Sequence, residues 1–512
     1  MTAHHGGTMK RRTFLKTAGT AGVAASAGAF GILRSPRRAD AAWGDWPQDK
    51  LEAMIPPERQ AKKVLELYFY GGLNAFDSFY TVPEWGQNQN LFLWAFGANT
   101  VNNRFASCGF GGNLTEPFFD DEAGTTVHLG PWLAPLRERP DIVDRMRIVV
   151  QRHDLLPHEG ANPVALTGHR LGSPRLAGIG SSIQRYFAER PGGLRPVPYA
   201  YVLYPGSEFA TDNVRAASAV GLHPGSARAL SVTVDEGSLL TNLLARNTVG
   251  DANRERFDRA VDHYLAAYAD RFRRAGKGKA ARSAQRADFE FAHYSRKGAG
   301  ELQSVLSADL FSSIPGSECG TNTTSMPAMQ ARMAASLLTR PDNAARYVHW
   351  IDAGLTPHPS AGHDTHDSHV TYASRNVAHT LRQLVSIINE PGENDPNKID
   401  LDETMIVINT EFGRTPYPQG GGSGLNHWPQ GYVNVFIGGP IRQRGIYGYI
   451  TADQGMAQSW VSPTENRMLI LMAMGIYPFS SQTFAVGDVG GGVTNELEAA
   501  KRLKEVYLGI TD

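Results

Sequence analysis

Short apolar segments that end in polar loops constrain the fold of this chain more than any other feature. They are rich in β-branched and aromatic residues and lie at 64–70, 145–151, 346–352, 405–409 and 433–437. Apolar residues at helical spacing over 370–388 separate the third segment from the fourth. Strands that alternate with helices in this way are typical of βαβ units. The sequence therefore predicts an α/β protein with a largely parallel sheet.

The loop after the third predicted strand holds the densest set of side chains that can bind a metal. Residues 362–369 contain three histidines and two aspartates, whereas the whole chain has 16 histidines. Loops beyond the carboxyl ends of strands are the usual ligand sites of open α/β sheets. A solvated polar loop is the alternative, but the density of the cluster favours a site. Alternation along an extended loop separates Asp364 and His366 from His363 and Asp367, and we predict that the first pair binds the metal.

Other predicted strand ends supply further ligands. Asp77 follows the first strand, Glu411 follows the fourth, and His427 lies beyond a glycine-rich loop. With Asp364 and His366 they form the predicted ligand set, provided that the fold brings all five to one crevice. Carboxylates and imidazoles without thiolates suit a divalent cation, with zinc or manganese the best candidates. Such an ion can polarise an ester oxygen and lower the pKa of a bound water.

Three more residues are candidates for catalysis. His158 lies in the histidine-bearing loop after the second predicted strand. His369 and Arg414 are placed to steady an anionic oxygen of a substrate. A clamp on loop carbonyls is an equally good interpretation of Arg414. The chain has no P-loop, dinucleotide fingerprint or Gly-x-Ser-x-Gly elbow, and the glycine-rich segment 420–424 is interpreted as a lid or surface loop.

The N-terminus predicts export. Residues 10–16 (KRRTFLK) are similar to a twin-arginine motif, an apolar run follows at 18–33, and 39–41 (ADA) offers a cleavage site. We therefore expect a signal peptide over 1–41 and a periplasmic or secreted protein. No later segment is long and apolar enough to predict a membrane span.

Charge and cysteine content limit the partners and the crosslinks. The chain has 50 basic and 50 acidic residues, and this balance gives no indication of a nucleic-acid partner. Cys108 and Cys319 are its two cysteines. One disulfide between them is compatible with the sequence, but their spacing does not decide whether it forms.

Several short motifs occur in order along the mature chain. They are Gly71-Gly72 with Asp77, Asp364-Thr365-His366, TEFGRT at 410–415, Asn426-His427, and Gly438-Gly439 followed by GIYG at 445–448. In this order they resemble the DUF1501 family of exported bacterial proteins, which is placed among alkaline-phosphatase-like and sulfatase-like folds. The resemblance implies a three-layer α/β/α sandwich that forms one domain over 42–512. The match is weak in a helical insertion around 191–325.

By position, the resemblance also implies metal ligands at Asp77, Asp364, His366 and His427. Three departures from the active phosphatases stand out. Glu411-Phe412 occupies the place of an adjacent Asp-His pair, Asn426 replaces an aspartate, and no serine or threonine matches the nucleophile unambiguously. These departures favour a site for one metal over a site for two.

Two functions follow from the resemblance and the ligand set. The first is an exported metal-dependent hydrolase that acts on phosphate or sulfate esters, with a small anionic ester as its substrate. The second is a non-catalytic envelope or extracellular protein that keeps the fold and a structural metal, since a shared fold does not imply a shared activity.

Overall fold

An eight-stranded sheet carries the residues of interest at its strand ends. The computed structural model describes residues 42–511 except 90, 93–94, 207–227, 247–251, 275–283, 357–361, 420–421 and 481. The predicted signal peptide lies outside the described residues. In chain order the strands are β1 (Lys63–Phe69), β2 (Met146–Gln151), β3 (Ala200–Tyr204), β4 (Leu230–Thr233), β5 (Tyr347–Asp352), β6 (Thr404–Asn409), β7 (Tyr432–Gly438) and β8 (Gly445–Tyr447).

The strand order is β8-β2-β7-β6-β1-β5-β3-β4. Strand β7 is antiparallel to both neighbours, β6 and β2, whereas the remaining neighbours in the sheet are parallel. A hairpin lies between β6 and β7, formed by Gly413–Pro418 and Leu425–Trp428. The chain thus returns beside β6 without a crossover helix, and this return makes the pair antiparallel. The prediction of an α/β protein with a largely parallel sheet is confirmed.

Helices fill most of the connections between strands. They are α1 (Ala98–Ser107), α2 (Ala134–Arg137), α3 (Pro140–Val143), α4 (His158–Thr167), α5 (Ile179–Ala188), α6 (Gly237–Arg246), α7 (Ala252–Arg274), α8 (Ala284–Lys297), α9 (Ala299–Val305), α10 (Met326–Thr339), α11 (His369–Ser386), α12 (Pro463–Ala473) and α13 (Glu496–Lys501). In the described part of the chain, none of them has the length and apolar character of a membrane span.

Two hydrophobic clusters pack against the sheet because successive side chains of β1 point to opposite faces. Leu65 and Leu67 pack in one cluster with Leu381 of α11. Val64 belongs to the other cluster, together with Leu469 of α12. Complete burial of each such side chain contributes roughly 1.5–3 kcal/mol. Helices therefore pack against both faces of the sheet, and the loops at its carboxyl edge are held between two cores.

A buried ion pair interrupts the apolar pattern of β1. Glu66 accepts hydrogen bonds from Arg467 Nη1 at 2.7 Å, Tyr347 Oη at 2.5 Å and Asn409 Nδ2 at 2.7 Å. Burial alone would raise the pKa of Glu66, but the charge of Arg467 and these hydrogen bonds hold it below its ordinary value. Since charges buried together are tolerated only with such pairing, this network ties β1 to three other segments.

The segment predicted as an insertion, 191–325, contributes to the main sheet as well as to helices. Strands β3 and β4 come from this segment and form one edge of the sheet. Helices α7 and α8 also belong to this segment, and residues 275–283 between them lie outside the described residues. Ion pairs between Lys297 and Asp262 and between Arg296 and Asp258 join the two helices.

The segment between β1 and β2 contains further ordered elements. It holds α1 and the first strand of a hairpin formed by Glu116–Asp120 and Thr126–Leu129. At the end of α1, Cys108 forms a disulfide with Cys319, which lies in the turn between Pro315–Glu318 and Thr321–Thr324. The structure thus decides the pairing that the sequence left open. Residues 43–512 form one compact unit.

Candidate metal centre

The loop that carries Asp364 is fixed to the end of β1. His363 N donates a hydrogen bond to Tyr70 O at 2.6 Å. Gly362 adopts a positive φ of +49°, and a Cβ at this position would lie 2.3 Å from Tyr70 O. Only glycine tolerates both the backbone angle and this close approach. Asp364 follows two residues later and is buried, so the loop places its carboxylate inside the crevice at the carboxyl edge of the sheet.

Three histidines surround the Asp364 carboxylate. His158 Nε2 lies 3.4 Å from Oδ2, His366 Nε2 lies 3.0 Å from Oδ1, and His427 Nε2 lies 3.3 Å from Oδ1. His158, Asp364 and His427 each offer one ligand atom, and these atoms lie within 4.8 Å of one another. Two imidazoles and one carboxylate at this separation are suited to a divalent cation. The structure therefore supports a metal-binding group at this crevice.

Two partners orient the ligand histidines. His158, the first residue of α4, contacts Glu411 Oε1 through Nδ1 at 2.9 Å. Its Nε2 is buried and makes no hydrogen bond to any residue that the structure describes. His427 Nδ1 contacts Leu156 O at 2.8 Å, so its Nε2 also faces Asp364. Ligand histidines in proteins are typically held by a contact to the other ring nitrogen in this way. The donor set thus fits a cation.

Glu411 lies behind His158 rather than beside Asp364. Its side chain is fully buried at the end of β6, where Oε1 accepts a hydrogen bond from Gly71 N at 2.8 Å. The carboxylate therefore contacts the outer nitrogen of a ligand histidine. From this position it orients His158 and favours a proton on Nδ1, so that Nε2 faces Asp364.

His366 occupies the outer side of the group. Its Nε2 lies 3.0 Å from His427 Nε2, and its Nδ1 lies 2.7 Å from Gln419 Oε1. The side chain is 31% exposed, whereas that of Asp364 is 7% exposed. His366 is thus next to the proposed ligands, but it is not one of the three residues whose donor atoms all lie within 4.8 Å of one another.

Arg414 is fully buried and bonded to the protein itself. Its Nη2 donates to Gly71 O and to Asp364 Oδ1, and its Nη1 donates to Leu425 O at 3.2 Å. A Cβ at Gly72 would lie 2.9 Å from Arg414 Nε, so the glycine makes room for the guanidinium. These contacts are those of the loop clamp, one of the two interpretations of this residue. A role toward a substrate stays a prediction.

Asp77 and His369 form a second pair near the first group. His369 Nε2 contacts Asp77 Oδ2 at 2.7 Å, and its Nδ1 contacts Thr365 Oγ1 at 2.6 Å. Both side chains are buried. Both ring nitrogens of His369 already contact protein side chains, which limits its ability to bind a substrate oxygen. The structure brings Asp364, His366, Glu411 and His427 together and places Asp77 with His369 instead.

Burial and charge set the protonation of the group. Burial alone would raise the pKa of Asp364, but its contacts with the three histidines and Arg414 hold that pKa well below its ordinary value. Burial alone would lower the pKa of His158, but the contacts with Asp364 and Glu411 outweigh it and raise that pKa to about 9. At neutral pH a cation would therefore displace a proton from His158, as is usual when metals bind imidazole.

A buried Ser-His-Glu arrangement lies away from this crevice. Ser325 Oγ is 2.7 Å from His379 Nε2, and His379 Nδ1 is 3.5 Å from Glu318 Oε2. Ser325 is fully buried, and its hydroxyl accepts a hydrogen bond from Ala328 N at 3.0 Å. Its contacts are those of an N-cap for α10, and burial separates the hydroxyl from any substrate.

His158 is the one member of the converging group that we predicted as catalytic and not as a ligand, and its catalytic role stays a prediction. The signal for a ligand was present, since His158 follows the second strand as Asp364 follows the third. The length of the loop from Gln151 to α4 hid it, because His153 stands closer to the strand. His153 instead contacts Glu411 O through Nε2 at 2.6 Å.

Comparison with known proteins gives one match. No curated protein and no solved structure matches the chain. Residues 61–478 match the family described as "Protein of unknown function (DUF1501)". The matched region begins just before β1, ends after α12, and contains His158, Asp364 and His427. Since the match covers most of the chain and agrees with the resemblance noted from its motifs, the protein belongs to the DUF1501 family.

Proposed function

We propose that this protein is an exported metal-dependent hydrolase with an alkaline-phosphatase-like α/β/α sandwich, acting on small phosphate or sulfate esters. One observation carries the proposal. Donor atoms of His158, Asp364 and His427, from three separate segments, converge within 4.8 Å at the carboxyl edge of a largely parallel sheet. This edge is where open α/β proteins usually bind their ligands.

The residues of the chain have distinct tasks in this proposal. His158, Asp364 and His427 would hold a zinc or manganese ion. When bound, such an ion would polarise an ester oxygen of the substrate and lower the pKa of a bound water. Glu411 keeps the His158 ring in place from behind, and Arg414 fixes the Asp364 carboxylate through its buried guanidinium. These two partners keep the ligands in position before the substrate binds, which is how a fixed site lowers a barrier.

A cavity beside His427 offers room for the substrate. It has a volume of about 420 Å³ and includes His427, Asn426, Gln419 and Tyr417 in its wall. A small ester fits a pocket of this size, since ligand pockets commonly measure several hundred Å³. An ester bound there lies next to one of the proposed ligands, and His366 adjoins the same ring.

The experiment combines metal analysis with turnover of an aryl phosphate and an aryl sulfate. We expect the purified mature protein to hold stoichiometric zinc or manganese and to hydrolyse one of the two esters. Asp364→Asn should remove the metal and the turnover. His427→Gln removes a less buried ligand and serves where Asp364→Asn fails to fold.

The matched control is Asp367→Asn, which makes the same change three residues away at an exposed position. It should keep the metal and the activity. Metal-loaded protein that hydrolyses neither ester, or full turnover by the folded ligand variants, would contradict the proposal.

The geometry also favours a second function, a non-catalytic exported protein with a structural metal. Asp364 is already bonded to a fully buried arginine, so part of its carboxylate serves to hold loops together. If the protein is non-catalytic, it should hydrolyse neither ester. Asp364→Asn and His427→Gln should then lower its free energy of unfolding and its metal content. The same experiment therefore separates the two functions.

A further inference from the structure

Three pockets that share lining residues lie next to the candidate metal centre, and we name them together the Trp460 groove. The inner pocket is the one beside His427, and Gln430 is part of its wall. The middle pocket measures about 450 Å³ and is lined by Gln430, Arg152, Arg170 and Trp460. The outer pocket measures about 440 Å³ and shares Trp460 with the middle one. Since neighbouring pockets share side chains, together they can accommodate an extended ligand.

Exposed aromatic rings stand along this groove. Tyr417 in the inner pocket is 49% exposed, and Trp460 between the middle and outer pockets is 40% exposed. Tyr417 packs edge-on against Trp428, with ring centroids 5.8 Å apart. Large exposed rings in soluble proteins usually mark a binding site when they line a concave surface. The groove therefore presents two flat apolar surfaces to a ligand.

Trp460 is held in place before any ligand arrives. The Arg152 guanidinium lies 4.8 Å from the centre of the Trp460 ring system. Arg152 itself donates to Gln430 Oε1 at 3.1 Å and to Ala457 O at 3.0 Å. The next residue, Val461, donates its backbone N–H to Val150 O of β2 at 2.8 Å. A ring fixed in this way loses little conformational entropy when it binds a ligand.

Amide side chains and balanced charges supply the polar part of the groove. Gln419 and Asn426 line the inner pocket, Gln430 joins it to the middle pocket, and Gln458 lines the outer pocket. Each amide offers both a donor and an acceptor. The charged lining residues are three arginines and three carboxylates, namely Arg152, Arg170, Arg502, Asp154, Glu465 and Asp488.

We propose that the Trp460 groove binds an extended saccharide chain. A sugar ring has an apolar C–H face, which stacks on an aromatic ring, and peripheral hydroxyls, which need both donors and acceptors. The rings and amides of the groove offer this combination over three successive pockets. Grooves that follow a nucleic acid are positively charged, whereas the charges here are balanced. A proline-rich peptide also docks on aromatic grooves, but its backbone offers mainly carbonyl acceptors and uses only the donor half of each amide.

The saccharide proposal goes beyond the hydrolase. Binding along the groove needs no chemistry at Asp364, because the middle and outer pockets contain none of the proposed ligands. The groove begins at His427, so an anionic ester on the sugar at that end would lie beside the candidate metal centre. The binding site would hold the polymer while the metal site acts on its substituent.

The test is calorimetric titration of the mature protein with cellohexaose, maltohexaose, xylohexaose and chitohexaose. We expect one of them to bind and to change the tryptophan fluorescence. Trp460→Ala should weaken that binding by about tenfold or more, since loss of a stacking ring costs on the order of 1.4 kcal/mol. Phe119→Ala is the control, because Phe119 is a comparably exposed aromatic residue on the hairpin of Glu116–Asp120, which contributes nothing to the three pocket walls.

Each outcome is decisive for the groove. Equal affinity in Trp460→Ala and the wild type, or binding of a proline-rich decapeptide instead of all four saccharides, would overturn the proposal. Failure of all four saccharides and the peptide to bind would overturn it as well. Circular dichroism and metal content should be unchanged in Trp460→Ala. Because saccharide binding should survive removal of the metal by a chelator, a failed hydrolase and a failed groove give different results.

Discussion

Individual side chains of the candidate metal centre each have more than one role. Asp364 is a proposed ligand and also the partner of a buried arginine, and His158 contacts carboxylates on both ring nitrogens. The sequence predicted that Asp364, His366 and His427 lie near one another, because each lies beyond the end of a predicted strand. It predicted Glu411 as a ligand and His158 as a catalytic residue, whereas in the structure His158 offers a donor atom to the group and Glu411 contacts its other ring nitrogen. That choice depends on which ring nitrogen faces the crevice, and only the packed loops set this orientation.

His349, in the middle of β5, makes the stability depend on pH. It is fully buried, and neither ring nitrogen has a hydrogen-bond partner among the described residues. Burial lowers its pKa to about 4, from an ordinary value of 6.5. Between these values the unfolded chain binds a proton that the folded protein does not, so stability falls as pH falls. One titrating group with this shift lowers the free energy of unfolding by about 2 kcal/mol between pH 6.5 and pH 5.

Urea unfolding at pH 7 and pH 5 checks this expectation with His349→Phe. We expect the free energy of unfolding of the variant to fall by roughly 2 kcal/mol less than that of the wild type between pH 7 and pH 5. Above pH 7 the two proteins should change in parallel, because His349 is neutral in both states. If the free energy of unfolding of His349→Phe falls between pH 7 and pH 5 by as much as that of the wild type, other groups control the acid sensitivity.

At the scale of elements, one hairpin completes the candidate metal centre. The hairpin of Gly413–Pro418 and Leu425–Trp428 carries both Arg414 and His427. It docks on the Asp364 loop, where Leu425 N donates to Thr365 O at 2.9 Å. A Cβ at Gly424 would lie 1.9 Å from His366 O, so the two loops meet without room for a side chain.

Gly424→Ala should therefore displace the hairpin from the Asp364 loop and weaken metal binding. We expect a loss of roughly tenfold to a hundredfold in metal affinity, comparable to the loss of a residue that supports a ligand. Competition with a chromophoric chelator measures it. Gly422→Ala is the matched control, since its Cβ would meet only Gln419 O at 3.3 Å. Equal affinities for the two variants would contradict the role of this contact.

Five of the eight strands described in the main sheet and its largely parallel character were predicted, whereas the direction of β7 was not. Continuous apolar runs such as 405–409 and 433–437 mark buried strands regardless of direction. Whether two of them pair in parallel depends on the chain between them, where the glycine-rich segment 420–424 was interpreted as a lid or surface loop. In the structure Gly413–Pro418 and Leu425–Trp428 form a hairpin, which makes β7 antiparallel. The amphipathic pattern of α11 was clearer, because its apolar stripe faces a single core.

At the scale of the whole molecule, the disulfide links parts of the chain that are far apart in sequence. Cys108 and Cys319 are separated by 211 residues. Such a crosslink restricts the unfolded chain, and we expect Cys108→Ser with Cys319→Ser to lower the free energy of unfolding by about 2–5 kcal/mol. Urea unfolding with and without a reductant measures this effect. The double variant should be insensitive to the reductant, and equal stability of oxidised and reduced wild type would contradict the expectation.

The disulfide also bears on the location of the protein. Disulfides persist mainly in oxidising compartments, so the pairing supports the proposed periplasmic or secreted location. The sequence could not decide this pairing, because two cysteines bond only when the fold brings their Cα atoms close together. That proximity depends on the docking of α1 near the hairpin of Pro315–Glu318, a contact between distant segments.

The position of β1 in the sheet determines when the protein can finish folding. Its neighbours are β5 and β6, and its end is joined to the end of β6 by a hydrogen bond between residues 340 positions apart, Gly71 and Glu411. During synthesis at 5–20 residues per second, β1 waits on the order of tens of seconds for these partners. Over that interval an apolar strand with two unpaired edges is open to aggregation. The nascent chain therefore needs protection until its C-terminal half emerges, and folding must follow synthesis.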